Sequence, residues 1–142
     1  MTSVYSFADV SLVLSHPSVG QCTLAGQGLG SVAIARANDN TQHDVAADGS
    51  VLVSKILSKN GTMQLAIQQT SEAQNWLKKW YNYLMVAPTS EWARTSAVLK
   101  NPSGNETFNM HGVSPQKRPD ASFQATGQQV TWNFLCAEIS EN

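Results

Sequence analysis

Thr62-Met63-Gln64-Leu65-Ala66-Ile67-Gln68-Gln69-Thr70-Ser71-Glu72-Ala73-Gln74-Asn75-Trp76-Leu77-Lys78-Lys79-Trp80-Tyr81-Asn82-Tyr83-Leu84 changes its hydrophobic period part-way along. In the first third, Met63, Leu65 and Ile67 alternate with Thr62, Gln64 and Gln68. That two-residue period predicts a strand with one buried and one wet face. From Ser71 onward the period lengthens. Trp76, Leu77, Trp80, Tyr81 and Leu84 recur at helical spacing, opposite Asn75, Lys78, Lys79 and Asn82. Ser71 is placed to cap this helix, and Gln74 stands where it would complete a capping box. Pro88 ends it. The aromatic stripe reads as core packing and not as a ligand box.

Upstream, Asn60-Gly61 lies between two β-like runs, residues 51–57 and 62–69, and predicts a tight hairpin turn because both residues tolerate positive φ. Residues 37–50 (Ala-Asn-Asp-Asn-Thr-Gln-His-Asp-Val-Ala-Ala-Asp-Gly-Ser) are polar and turn-rich and read as the longest loop. Loops of that length are commonly functional or ordered by a partner. Residues 31–36 read as a strand with Val32 and Ile34 on one side and small Ala33 and Ala35 on the other. The run Gly26-Gln27-Gly28-Leu29-Gly30 lacks the G-x-G-x-x-G spacing, and no helix follows to offer its N-terminus to a phosphate, so it reads as a turn. A short strand at 21–24 and another over 5–14 complete this half. The latter ends at His16-Pro17, where proline removes a ladder donor.

Downstream, residues 94–100 and 106–111 read as strands joined by the turn Asn101-Pro102-Ser103-Gly104. Residues 129–139 place Val130, Trp132, Phe134 and Cys136 on one face, and Leu135, Ala137 and Ile139 add apolar groups to the other. Residues 113–127, with Pro115 and Pro119, read as an irregular crossover. The sum is a single mainly β domain over 1–142: a β-sandwich or partly closed barrel of about seven strands with one flanking α-helix.

Composition narrows the partners. Of 142 residues, 42% are hydrophobic and 13% charged, with a net charge of −1, against about 25% charged in an ordinary soluble domain. A chain of this length buries roughly 68–70% of its unfolded surface, enough for a core without metals or disulfides. Neutral polar surfaces repel one another weakly, which biases the chain toward association. Lys78-Lys79 and Lys117-Arg118 are the nearest approach to a basic stripe, too little to grip nucleic acid tightly. Cys22 and Cys136 match no metal or C-x-x-C pattern and are expected as reduced, buried thiols. The opening residues do not form a charged segment followed by an apolar run, so no signal peptide is expected. No apolar stretch is long enough for a membrane span.

No catalytic, metal or cofactor site emerges. His16, His43 and His111 have no nucleophile elbow to serve, and Asp9, Glu91, Glu106, Asp120 and Glu138 cannot be paired across a cleft from sequence. Asp39, His43, Asp44 and Asp48 share the polar stretch but lack calcium-loop spacing. A solvated or subunit-contacting role is the better reading. A self-assembling structural subunit is therefore the first expectation. A β-sandwich carbohydrate-binding or adhesion module, with Trp92 as an exposed sugar platform, is the alternative.

A family resemblance sharpens this. Tyr5-Ser6-Phe7-Ala8-Asp9-Val10 resembles the start of small virion proteins of contractile-tailed bacteriophages. The likeness continues in order through Asp48-Gly49, Lys59-Asn60-Gly61, Gln69-Thr70-Ser71, Asn101-Pro102-Ser103-Gly104, Pro119 and Thr131-Trp132-Asn133-Phe134. The chain looks like a phage tail tube protein. That resemblance implies a β-sandwich with one flanking helix, like lambda-type tail tubes and the type VI secretion tube protein. It implies hexameric rings whose inner strands join into one barrel, stacked into a hollow tube inside a sheath, with baseplate and tail terminator proteins at its ends. Genomic DNA would pass through the lumen in transient, non-specific contact, in a virion component made in the host bacterial cytoplasm; another tail or baseplate ring protein is the neighbouring possibility. On this reading Asn38, Asp39, Asn40, His43, Asp44 and Asp48 would form the ring-stacking loop. Asn75, Lys78, Lys79 and Asn82 would face the sheath, and Ser31, Ala33, Ala35 and Ser54 would line the lumen. Arg36 and Lys55 fit poorly, being cations in strands expected near a channel for DNA.

Overall fold

The computed structural model describes residues 9–25, 29–68, 71–102, 105–119 and 129–141. Nine strands and one α-helix occur among them: β1 Ser11–His16, β2 Gly20–Ala25, β3 Leu29–Arg36, β4 Thr41–Val45, β5 Val51–Lys55, β6 Gly61–Gln68, α1 Glu72–Val86, β7 Thr95–Asn101, β8 Glu106–Lys117 and β9 Gln129–Glu141. Seven strands form one antiparallel sheet in the order β2-β1-β7-β8-β9-β6-β3, and β4 and β5 form a separate two-stranded ladder. Residues 5–8 of the expected first strand, the Gly26–Gly28 turn, Ser103-Gly104 and residues 120–127 of the expected crossover lie outside the described residues.

The sheet buries one face against α1. Leu12, Leu14, Met63, Leu65, Ile67, Ala97, Leu99, Met110, Val113, Trp132, Phe134, Cys136 and Ile139 meet Leu77, Trp80 and Leu84 of the helix. α1 touches both β2 and β6. Those strands stand five places apart in the sheet order, about 24 Å if the sheet were flat. The sheet is curled into a half-barrel with the helix against its inner side, and α1 spans between these two strands. The expected mainly β fold of about seven strands with one flanking helix is what the chain forms, in its partly closed version.

Two indole N–H groups fasten the helix to this sheet in opposite senses. Trp80 Nε1 donates to Thr95 Oγ1 on β7 at 2.8 Å, and Trp132 Nε1 on β9 donates to Gln74 Oε1 at 2.8 Å. Buried polar groups need partners, and these pairs satisfy each other in the core. Ser71 caps the helix as expected, its Oγ accepting from Gln74 N at 3.2 Å. The expected capping box is not completed. Gln74 points inward to Trp132 because an unpaired buried indole would cost more than the surface bond a box supplies.

Three other expectations change. Asn60-Gly61 is not a hairpin turn: Gly61 lies opposite Arg36 on β3 and Cys136 on β9. Glycine is required there by crowding, since a Cβ would collide with Ala35 O and stand 2.6 Å from Ile139 Cδ1. The expected loop 37–50 contains strand β4, which pairs with β5 from Thr41 opposite Lys55 to Val45 opposite Val51. Its turn uses Asp48-Gly49, with Gly49 at φ 89°. β8 runs on to Lys117 where an irregular crossover was expected. Its pairing with β7 ends at Val113, so Pro115 sits where β8 needs no donor on that side.

Candidate assembly interface

β4 and β5 project from the sheet as an arm. A lone two-stranded ladder is marginal in water, and this one carries apolar side chains with no cover. Val45, Val51 and Val53 are 65%, 50% and 62% exposed. The register sorts the arm into two faces. Val45 with Val51, His43 with Val53 and Thr41 with Lys55 share one; Gln42 with Ser54 and Asp44 with Leu52 share the other. Of the expected stacking residues, His43 therefore lies on the valine-rich face and Asp44 on the opposite one. Asp48 closes the turn, its Oδ1 accepting from Ser50 N at 3.0 Å and Ser50 Oγ at 2.7 Å. These bonds hold its carboxyl below the usual carboxylate range. Strand alternation thus splits His43 from Asp44, and no three His, Cys, Asp or Glu side chains gather for a cation among the described residues.

Asn38, Asp39 and Asn40 belong to the arm's root. Asn38 Nδ2 donates to Ser58 Oγ at 3.0 Å and Asn60 Oδ1 at 3.2 Å, and Asn40 Nδ2 donates to Ile56 O at 2.9 Å and Ser58 O at 3.1 Å. Below them the root is tied to β9, where Arg36 Nη1 donates to Ile139 O at 2.6 Å and Ile139 N donates to Lys59 O at 2.8 Å. A shallow groove beside the root is lined by Asn38, Asp39, Thr41, Gln42 and Ile56.

The sheet's outer face, turned away from α1, carries no charge across β3 and β6, while Lys100 of β7 and Lys117 of β8, the latter opposite Asn133 of β9, bring cations to it further along. Ser31, Ala33 and Ala35 of β3 are exposed there, beside Ala66, Gln64 and Thr62 of β6, which stand opposite them. Thr131, Asn133 and Leu135 of β9 continue the face across Ala66, Gln64 and Thr62. Arg36 falls on the other side of β3, with Ile34, which removes it from this surface. Ser54 does not join Ser31, Ala33 and Ala35; it lies on the arm opposite Gln42, with Lys55 next to it. Within the sheet order, β2 and β3 are the terminal strands.

On the helix, Asn75, Lys79 and Asn82 are exposed and follow the spacing of one stripe, while Lys78 is half-buried to its side. Met85 and Val86 extend the exposed helix surface, 57% and 85% accessible. Trp92 is half-buried and packed against the core, so it is no open sugar platform. His111 is exposed on β8 opposite Glu138. His16 is buried, its Nδ1 accepting from Ser18 N at 3.0 Å and its Nε2 donating to Glu91 O at 3.3 Å. Cys22 and Cys136 are free and buried, as expected, and burial pushes each thiol up to about 11. No helix among the described residues is long and apolar enough to cross a membrane.

The isolated chain thus leaves the arm's valine face uncovered and two terminal strands of its sheet open. The family model described as bacteriophage PhiTE tail tube protein matches residues 2–142. The chain belongs to this tail tube family. Solved structures add the fold at low identity. A chain of the anti-feeding prophage baseplate aligns with TM-score 0.66 and 9% identity, covering 100% of this chain and 97% of that one. A chain of the anti-feeding prophage tube-terminating cap aligns at 0.62 and 7%, covering 100% and 93%. A chain of the PVC sheath-tube complex, from an extracellular contractile injection system, aligns at 0.55 and 13%, covering 92% and 87%. No curated protein matches the sequence significantly. The tail tube chain is thus a structural component of a phage tail whose fold recurs in contractile injection systems.

Proposed function

We propose that this tail tube protein acts as a single unit over 1–142 and assembles into hexameric rings that stack as the hollow inner tube of a contractile tail. The observation that carries this is the β4–β5 arm. Its valine face is wet in the isolated chain, and a second copy is the partner a homopolymer always supplies. The arm, with Asn38, Asp39, Asn40, His43, Asp44 and Asp48 at its root, edges and tip, makes the contact between rings. Ring closure pairs the terminal strands β2 and β3 with neighbours, removing edges that would otherwise template uncontrolled pairing.

The uncharged part of the outer face, over β3, β6 and the first half of β9, lines the lumen, with Ser31, Ala33 and Ala35 joined by Thr62, Gln64, Thr131 and Asn133. Ser54 belongs to the arm and takes no part in that lining. Hydroxyls, amides and methyls there give phosphate no cation to bind, and Lys117 opposite Asn133 with Lys100 on β7 is too sparse a set to grip it, so genomic DNA makes only transient contact as it slides. The helix stripe Asn75, Lys79 and Asn82, flanked by Lys78, meets the tail sheath. Baseplate and tail terminator proteins cap the ends. The subunit is made in the host bacterial cytoplasm and works in the virion by assembly alone, without turnover.

Negative-stain microscopy of the purified protein tests this. Rings or tubes with a central hole are expected. Deleting residues 39–48 removes β4 and should leave a folded protein that makes no long tubes. Tubes of undiminished length from that variant would sink the stacking role, and a dispersed monomer that binds glycans would favour the adhesion reading.

A further inference from the structure

The arm does not continue the β3–β6 ladder smoothly. Arg36 stands opposite Gly61 and Thr41 opposite Lys55, so the chain advances one residue further from Lys55 to Gly61 than from Arg36 to Thr41. One residue is extra on the β5–β6 side, the signature of a bulge, which bends a ladder and increases its twist. Backbone bonds frame the defect: Ala37 N donates to Asn60 O at 3.2 Å and Ile56 N donates to Asn40 O at 2.9 Å. Between those two bonds the ladder is interrupted.

Side-chain amides fill the gap. Both protons of Asn40 Nδ2 are used, on the carbonyls of Ile56 and Ser58. Both protons of Asn38 Nδ2 are used, on Ser58 Oγ and Asn60 Oδ1, and Ser58 Oγ donates onward to Asn60 Oδ1 at 2.6 Å. Two carbonyl acceptors fix which end of the Asn40 amide faces inward, because the flipped amide would set oxygen against oxygen. A bulge without such bonds would leave the arm free to swing.

We propose that Asn38 and Asn40 are positioning residues that staple this bulge into a rigid elbow, holding the arm at its working angle before assembly. This rests on the reading of the arm as the ring-stacking element. A pre-set arm loses less conformational freedom on docking, so the elbow lowers the concentration at which rings stack. Asparagine is suited to both positions because it is short and offers two donors on one planar group. Aspartate has the same shape and no donor, which makes Asn40→Asp the sharpest probe.

The test measures amide hydrogen exchange on dilute, unassembled protein, comparing arm strands β4 and β5 with sheet strands β6 and β9. In the wild-type chain the arm amides should be protected well beyond unstructured rates. Asn40→Asp, Asn40→Ala and Asn38→Ala should speed arm exchange about five- to tenfold, the range expected when one or two net hydrogen bonds are lost. Exchange in β6 and β9 and the melting temperature should stay unchanged, separating a loosened elbow from an unfolded domain. The same variants should raise the critical concentration for tubes several-fold. Wild-type arm amides that already exchange at unprotected rates, or that do not respond to Asn40→Asp, would overturn the elbow. A loosened arm with unaltered tube assembly would overturn its role in assembly. The exchange arm of the experiment decides the elbow even for a chain that forms no tubes, so failure of the stacking reading is read separately.

Discussion

Replacing Val51 and Val53 together by threonine isolates what the arm contributes to assembly. Threonine keeps the β-branch, so the hairpin's own strand preference is preserved and only its apolarity falls. Full burial of a valine stabilises by about 1.5–3 kcal/mol relative to leaving it exposed. Val51 and Val53 are 50% and 62% exposed in the isolated chain, so roughly half of that gain, about 1 kcal/mol each, is still available to a partner. The double variant should forfeit about 2 kcal/mol per arm contact. At 1.4 kcal/mol per factor of ten, the critical concentration for tubes should rise on the order of 30-fold. Sedimentation of tubes across a dilution series reads that concentration, and a thermal melt of dilute protein reads the fold. Since both side chains are already largely wet, the melting temperature should move by no more than about 1 °C. A normal critical concentration with intact tubes would refute the arm as the stacking contact. A collapse of the melting temperature would show instead that the valines serve the subunit's own core.

Thr95→Val keeps the volume but leaves the Trp80 indole N–H without its acceptor; a loss of about 1–3 kcal/mol, seen as a fall of several degrees in melting temperature, is expected. The double variant Thr95→Val with Trp80→Phe should lose less than the sum of the two single losses, Trp80→Phe carrying its own cavity cost, and a strictly additive double mutant would show the bond carries nothing. Gly61→Ala should destabilise by roughly 1–3 kcal/mol, because the new methyl meets the Ala35 carbonyl and Ile139, and denaturant unfolding would measure it. Both thiols are raised to about 11, which leaves about one in a thousand ionised at pH 8. Cys22 and Cys136 should therefore resist a thiol reagent until denaturant is added, and rapid labelling of the native protein would contradict their burial.

The core was legible because its side chains repeat at the period of the element that holds them. Met63, Leu65 and Ile67 face inward from β6, and Leu77, Trp80 and Leu84 from α1, as the spacing required. The arm's first strand, β4, was illegible for a related reason. Thr41-Gln42-His43-Asp44-Val45 alternates nothing apolar, because neither of its faces belongs to this subunit's core, and hydrophobic periodicity sees only strands that pack within their own chain. Asp48-Gly49, between Val45 and Val51, was the available signal. It is as good a hairpin turn as Asn60-Gly61, but it was outweighed by the polar stretch before it, while Asn60-Gly61 lay between two convincing β-like runs. The Gln74–Trp132 and Trp80–Thr95 bonds have no sequence signature at all, since they join residues 58 and 15 positions apart. What periodicity recovers is the part of the molecule that is finished when the subunit folds. β4 looks like a loop in sequence because neither of its faces is finished by the subunit's own core, whereas β5, legible as a β-like run, supplies the valines that the proposed stacking contact would cover.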